Sequence, residues 1–290
     1  MKLEGMVAAA VLAVGSSLGI AADAVADNAE PRVVSFDHGG LDTLDAMGLG
    51  DHVVAVPKRG LPEYLSDYAS DAFADAGNLK TPDLKGVREA KPTLILVTGR
   101  QGDQIAELEK IAPTVNVGMV EGAYFTALEA KVLGLAAPFH AGEQAHEALD
   151  DLKDYIAEQR SGIDGEPDVL VVTHNDGKFG LRLEPVVYEL LALPKPVLPE
   201  GVESFTRGTR VFTPLTPEVI AQMDPDELLV VDRSAAIGAG EIDLAALKSS
   251  LAEHGMDGDK VTVLSPGLWY LSGGGLQSVR LQVDEVTQAL

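Results

Sequence analysis

From Arg32 onward, short apolar runs alternate with segments of helical period. The strand-like runs are Arg32–Phe36, His52–Val56, Thr93–Val97, Thr114–Val117, Asp168–Thr173, Leu228–Val231 and Lys260–Leu264. Each is brief and rich in Val, Ile and Leu, so each predicts a buried strand. The spacing between them predicts helices over Leu41–Met47, Asp83–Glu89, Asp103–Ile111, Phe125–Leu135, Gly142–Gln159, Leu183–Leu193, Pro217–Met223, Leu244–His254 and Leu276–Ala289. Thr81-Pro82 and Thr216-Pro217 each put a capping hydroxyl before a proline at a helix start. Alternation of this kind argues for an α/β protein with mainly parallel sheets.

The segment Gly142–Gln159 organises the rest. Ala145, Ala148, Leu149, Leu152, Tyr155 and Ile156 fall on one helical face, with charges opposite. At about 1.5 Å per residue it would span about 27 Å. A βα half lies on each side, so two lobes joined by one rigid helix is one plan; a single doubly wound domain is another, and periodicity does not choose. The two-lobe plan divides the chain into residues 27–140, a linker helix at 141–162 and a second lobe at 163–290.

The first residues follow a different pattern. Met1-Lys2 precedes an apolar, small-residue run from Met6 to Ile20, and Ala24-Val25-Ala26 forms a cleavage pattern. This predicts a secretory signal peptide over residues 1–26 and a soluble exported mature protein. The run is too short and too rich in Ala and Gly for a comfortable membrane span. With no cysteine, disulfides, thiolate metal sites and a lipid anchor on cysteine are excluded for the chain as given.

Charge sharpens the picture. Asp and Glu number 45 against 22 Lys and Arg, for a net charge of −23. Such a surface disfavours nucleic acid and anionic lipid as partners. Positive charge kept at defined places therefore carries more information. Arg100 follows the run Thr93–Thr98, and Arg233 follows Leu228–Asp232. Trp269-Tyr270 follows a third strand-like run. Open α/β sheets bind ligands at the carboxyl ends of their strands. Two cations and an aromatic wall there predict a cleft for an anionic, aromatic-rich ligand, and His38, beyond the first strand, is a further candidate. The histidines form no metal-binding motif, and no nucleophile elbow, P-loop or dinucleotide fingerprint occurs.

From about Arg32 to Leu290 the chain resembles a known family. The residues that carry the likeness are Phe36-Asp-His-Gly-Gly-Leu-Asp-Thr-Leu-Asp-Ala-Met-Gly48, Val56-Pro-Lys-Arg-Gly-Leu-Pro-Glu-Tyr64 and Gly77-Asn-Leu-Lys-Thr-Pro-Asp83. They continue with Gly99-Arg-Gln101, Ile111-Ala-Pro-Thr114, Val231-Asp-Arg233 and Trp269-Tyr-Leu-Ser-Gly-Gly-Gly275. In order, these resemble periplasmic siderophore-binding proteins of ABC importers, in the branch that takes ferric catecholates of the petrobactin type. The resemblance implies a class III binding-protein fold, limited closure about a rigid helix, no intrinsic cofactor, a monomer, and a ferric siderophore and an inner-membrane permease as partners. It implies that Arg100 and Arg233 are two of three cleft arginines and that Tyr270 lines the cleft and can ligate iron. Gln101 and Trp269 join the candidate lining.

Two departures accompany the likeness. Relatives carry Thr-His-Gly where this chain has Thr206-Arg207-Gly208, so an arginine stands for a histidine iron ligand. The third arginine is not evident, and Lys178 or Arg182 is the candidate substitute. Arg207 adds a further candidate cation, which favours a hexadentate ligand that saturates iron by itself. Haem, cobalamin or a hydroxamate siderophore remain alternative cargoes on the same fold. By the same resemblance, acidic residues dock the permease, with Glu63 and Glu218 as candidates.

Overall fold

The computed structural model describes residues 30–208 and 210–290, so the expected signal peptide lies outside the described residues. The first half runs β1 (Val33–Ser35), α1 (His38–Ala46), β2 (Val53–Val56), β3 (Ala74–Asp75), α2 (Leu84–Glu89), β4 (Leu94–Val97), α3 (Ile105–Leu108), β5 (Thr114–Asn116) and α4 (Tyr124–Ala136). Helix α5 (Gly142–Ser161) follows. The second half runs β6 (Val169–Asn175), β7 (Lys178–Leu181), β8 (Phe205–Arg207), β9 (Arg210–Phe212), β10 (Pro214–Leu215), α6 (Pro217–Met223), β11 (Glu227–Asp232), α7 (Arg233–Ala236), α8 (Leu244–Glu253), β12 (Val261–Leu264) and α9 (Leu276–Ala289).

Two five-stranded sheets result, one on each side of α5. The first has the order β3-β2-β1-β4-β5 and is wholly parallel. The second has the order β10-β7-β6-β11-β12. There β6, β11 and β12 are parallel, while β7 runs antiparallel to β6 and β10. This is an α/β protein of two lobes joined by one long helix.

The continuous apolar strands have a direct cause: both faces of each sheet are covered. Val33, Leu94 and Leu96 pack on the α1 side, whereas Val34, Ile95 and Val97 pack on the α2 and α3 side. In the second lobe, Val169, Val171, Leu229 and Val231 face α4, α5 and α9. Leu170, Val172, Leu228 and Val230 face α6 and α8.

Two expected helices are much shorter than their apolar spacing suggested. Over Leu183–Leu193 there is one π turn, Val186–Leu190. Pro185 biases Glu184 away from helical backbone, and Ala192 takes a positive φ of 54° before Pro194. Over Asp103–Ile111 only Ile105–Leu108 is α-helical, preceded by a 3₁₀ segment broken at Gly102.

Helix α9 joins the lobes. It packs along α5 and against α1. Its N-cap, Gly275, has no side chain to offer the free N–H groups; Asp42 of α1 does that work instead. The Asp42 carboxylate accepts from Gln277 N and Ser278 N, each at 3.2 Å, and from the Tyr64 hydroxyl at 3.0 Å. A Cβ at position 275 would overlap the Asp42 carboxylate, so glycine is required for the approach. Leu276 N adds a bond to Thr43 Oγ1, and Gln277 Nε2 reaches Asp45. Burial raises the Asp42 pKa to about 6 even though Ser278, Tyr64 and Lys131 oppose it.

Candidate ligand-binding cleft

Each lobe places a cation where its strand order reverses. In the first sheet, β1 and β4 are neighbours but their connections leave in opposite directions. In the second, β6 and β11 have the same relation. Such points open a crevice at the carboxyl ends of the strands. Arg100 follows β4 and Arg233 follows β11, so each guanidinium starts beside such a crevice.

The local chain fixes both. After β4, Thr98 caps the next turn: its N–H donates to Gln101 Oε1 at 2.7 Å, and its hydroxyl accepts from Arg100 N. After β11, Asp232 caps α7 and accepts from Ala235 N at 3.2 Å. The third element is the π turn Gly267–Leu271 beyond β12, the local winding that often marks functional sites.

Three arginines converge on three consecutive residues of that turn. Arg182 Nη2 donates to the Trp269 carbonyl at 3.2 Å. Arg100 donates from Nη2 to the Tyr270 carbonyl and from Nη1 to the Leu271 carbonyl, both at 3.0 Å. Arg233 Nε donates to the Tyr270 hydroxyl at 2.7 Å, with its guanidinium carbon 5.5 Å from the ring centre. Arg233 also donates to the Asn175 side-chain oxygen. Arg100 thus crosses from the first lobe to the second, while Arg182 and Arg233 belong to the second.

The counter-charges matter here. Arg182 is paired with Glu184. Among the described residues, Arg100 and Arg233 form no salt bridge; their partners are carbonyls, a phenol and an amide. In a chain of net charge −23, two guanidiniums held by neutral acceptors keep their full charge for something else.

Several expected lining residues sit elsewhere. Trp269 is 1% exposed and lies in the core of the second lobe, its indole N–H donating to Glu285 at 2.7 Å. Only its carbonyl reaches the site. The two successive residues of the turn point oppositely, and Tyr270 alone faces the cations. Gln101 is also buried, its Nε2 donating to the Leu79 and Phe36 carbonyls; it shapes the turn that carries Arg100. Arg207 is exposed at the end of β8, in the β8–β9 hairpin that pairs with neither large sheet. The third cation at the turn is therefore Arg182. Lys178 is exposed at the start of β7, opposite Asn175.

His38 lies inside the wall rather than on it. It is 1% exposed at the start of α1, and both ring nitrogens lack a hydrogen-bond partner. Burial lowers its pKa to about 4, Asp37 pulling upward and Arg100 downward, so the ring is neutral near pH 7. Close by, Lys131 and Asp37 form a buried ion pair at 2.5 Å. Among the described residues, no group of three or more His, Asp or Glu could hold a metal ion, and no helix is long and apolar enough to cross a membrane.

Comparison with known proteins agrees with this fold. The periplasmic binding protein family model matches residues 33–253. The chain is 33% identical over 264 residues to the petrobactin-binding protein YclQ of Bacillus subtilis, covering 89% of this chain and 82% of that one. It is 26% identical over 275 residues to the ferric-anguibactin-binding protein FatB of Vibrio anguillarum, covering 90% and 83%. The YclQ crystal structure superposes with a TM-score of 0.77 over 89% of this chain and 91% of that one, at 30% identity. The iron-uptake substrate-binding protein PiuA of Streptococcus pneumoniae superposes with a TM-score of 0.78 over 90% and 93%, at 28% identity. These relatives are substrate-binding proteins rather than enzymes. The two-lobed α/β fold is thus shared with solute-binding proteins, and the chain belongs to the periplasmic binding protein family.

Proposed function

We propose that the protein is the solute-binding component of an ABC iron importer, that it takes an anionic ferric siderophore of the catecholate type between its lobes, and that it delivers it to a permease. The observation that carries this reading is the convergence of Arg100, Arg182 and Arg233 on residues 269–271, two of them without a carboxylate partner. A ferric tris-catecholate presents excess negative charge on a planar aromatic skirt. Guanidinium groups stack on aromatic faces while donating hydrogen bonds to the anionic oxygens.

The relatives' names, petrobactin-binding and ferric-anguibactin-binding, support a siderophore as the cargo. Arg100 would exchange its two carbonyl acceptors for ligand oxygens, which makes it the mobile part of the site. Tyr270 already accepts from Arg233, which favours a ligand that completes its own iron coordination over one that needs a phenolate donor. Export to the periplasm and docking of the permease through acidic surface belong to the same proposal. Glu63 and Glu218 are exposed, one on each lobe.

The test is a titration panel read by quenching of the single tryptophan, whose carbonyl lies at the site. The expected order places a hexadentate ferric catecholate well ahead of a neutral ferric hydroxamate, haem and cobalamin. Preference for a neutral chelate would overturn the catecholate assignment, and binding of none would overturn the siderophore reading.

A further inference from the structure

At the end of β6 the chain reverses through Asp176 and Gly177, with φ of 51° and 71°, the left-handed pair of a tight two-residue hairpin. Asn175, just before the turn, accepts a hydrogen bond from Arg233 Nη1 on its side-chain oxygen. His174, one residue earlier, is 5% exposed and uses both ring nitrogens. Gly177 N–H can only donate, and it lies 3.0 Å from Nε2, so Nε2 is the unprotonated acceptor. Nδ1 therefore carries the proton and donates to Asp232 Oδ1 at 2.8 Å.

Asp232 and Ser234 flank Arg233 in the chain. Asp232 Oδ2 accepts from Ile242 N at 2.7 Å, and Ser234 Oγ accepts from Asp176 N at 2.9 Å. Burial pushes the Asp232 carboxyl up, but His174 and the Ile242 and Ala235 N–H groups together hold it below the usual carboxylate range. One imidazole thus connects both backbone segments that meet at the Arg233 guanidinium.

We infer that His174 is a positioning residue for the cleft cation Arg233, fixing through Asp232 and through the 175–177 turn the direction in which the guanidinium is presented. The inference rests on the reading of Arg233 as a ligand-binding group. A residue of this kind acts on affinity through geometry and touches no ligand itself.

A double-mutant cycle tests it, using the ferric complex of a synthetic hexadentate tris-catechol and working well below the unfolding temperature. His174→Ala should weaken binding about three- to tenfold, the scale of one lost ordinary hydrogen bond. In an Arg233→Ala background it should have no further effect, whereas in an Arg100→Ala background the same factor should remain. Unchanged affinity in His174→Ala, or an equal loss with Arg233 absent, would overturn the inference while leaving the cleft reading intact. If Arg233→Ala itself binds normally, the reading of Arg233 fails and the inference fails with it. Should His174→Ala not fold, His174→Asn, whose short amide cannot hold both Asp232 and Gly177, takes its place in the cycle with the same two outcomes.

Discussion

Each lobe buries a histidine near the end of its first sheet strand, and the two are held in opposite ways. His174 at the end of β6 satisfies both ring nitrogens against Asp232 and Gly177. His38, just past β1, satisfies neither. The cations beside them differ in step. Arg233 is anchored within its own lobe by Tyr270 and Asn175, whereas Arg100 is exposed and held across the cleft by two backbone carbonyls. The second lobe is a finished half-site with its cation preset. The first is a half-site whose cation is held by the other lobe.

The sharpest way to break this comparison is titration. His38 prefers its neutral form when folded, so its contribution to stability is present above pH 6.5 and is lost as pH falls through about 4. Asp42 has the opposite sign: its folded pKa is raised, so its contribution is present below pH 3.8 and is lost as pH rises through about 6. Each shift is about two units, or on the order of 3 kcal/mol. The wild type should therefore show a shallow profile between pH 4 and 6. His38→Leu should gain stability on acidification, and Asp42→Asn should lose it, as measured by chemical denaturation across that range. Two flat mutant profiles would mean that neither group titrates differently in the folded protein.

Affinity gives the next contrast. Arg100→Ala and Arg233→Ala should each weaken ferric catecholate binding by about 1–3 kcal/mol, with little change in melting temperature for Arg100→Ala. Lysine should recover part of the loss at 100, where the partners are single carbonyls. It should recover little at 233, where a planar fork spans a phenol and an amide. Equal recovery at both sites would erase the distinction between a loose and a preset cation.

Smaller effects test the edges of the site. Tyr270→Phe removes one neutral acceptor from Arg233 and should cost under about 1 kcal/mol of affinity. Arg207→Ala, on the separate hairpin, should change it by less than about 0.5 kcal/mol. A larger cost at 207 than at 182 would restore Arg207 as the third cleft cation.

The central strands were legible because each sheet is buried on both faces, so β1, β4, β6, β11 and β12 read as apolar runs. The long helix was legible from its single apolar face. The edge and hairpin strands were not: β3 and β10 have two residues each, and the described β8 residues are exposed. Asp176-Gly177, between β6 and β7, is the kind of turn pair that could have pointed to one of them. Arg100 and Arg233 could be read from strand ends, because strand direction decides where the chain emerges. Trp269 and Gln101 could not. Their chemistry suits a cleft wall as well as a core, and the π turn and the Thr98 cap decide which way each points.

The trans cap on α9 bears on the order of assembly. Asp42 meets Gln277 across 235 positions of sequence. A chain made from its amino end can lay down every strand of the first sheet and still lack the N–H groups that accommodate this carboxylate. Until the last helix arrives, tight compaction around Asp42 would strand a charge, so the first lobe stays incompletely closed. Completion of the first lobe thereby waits on α9, and removing that helix should leave both lobes loosened rather than one.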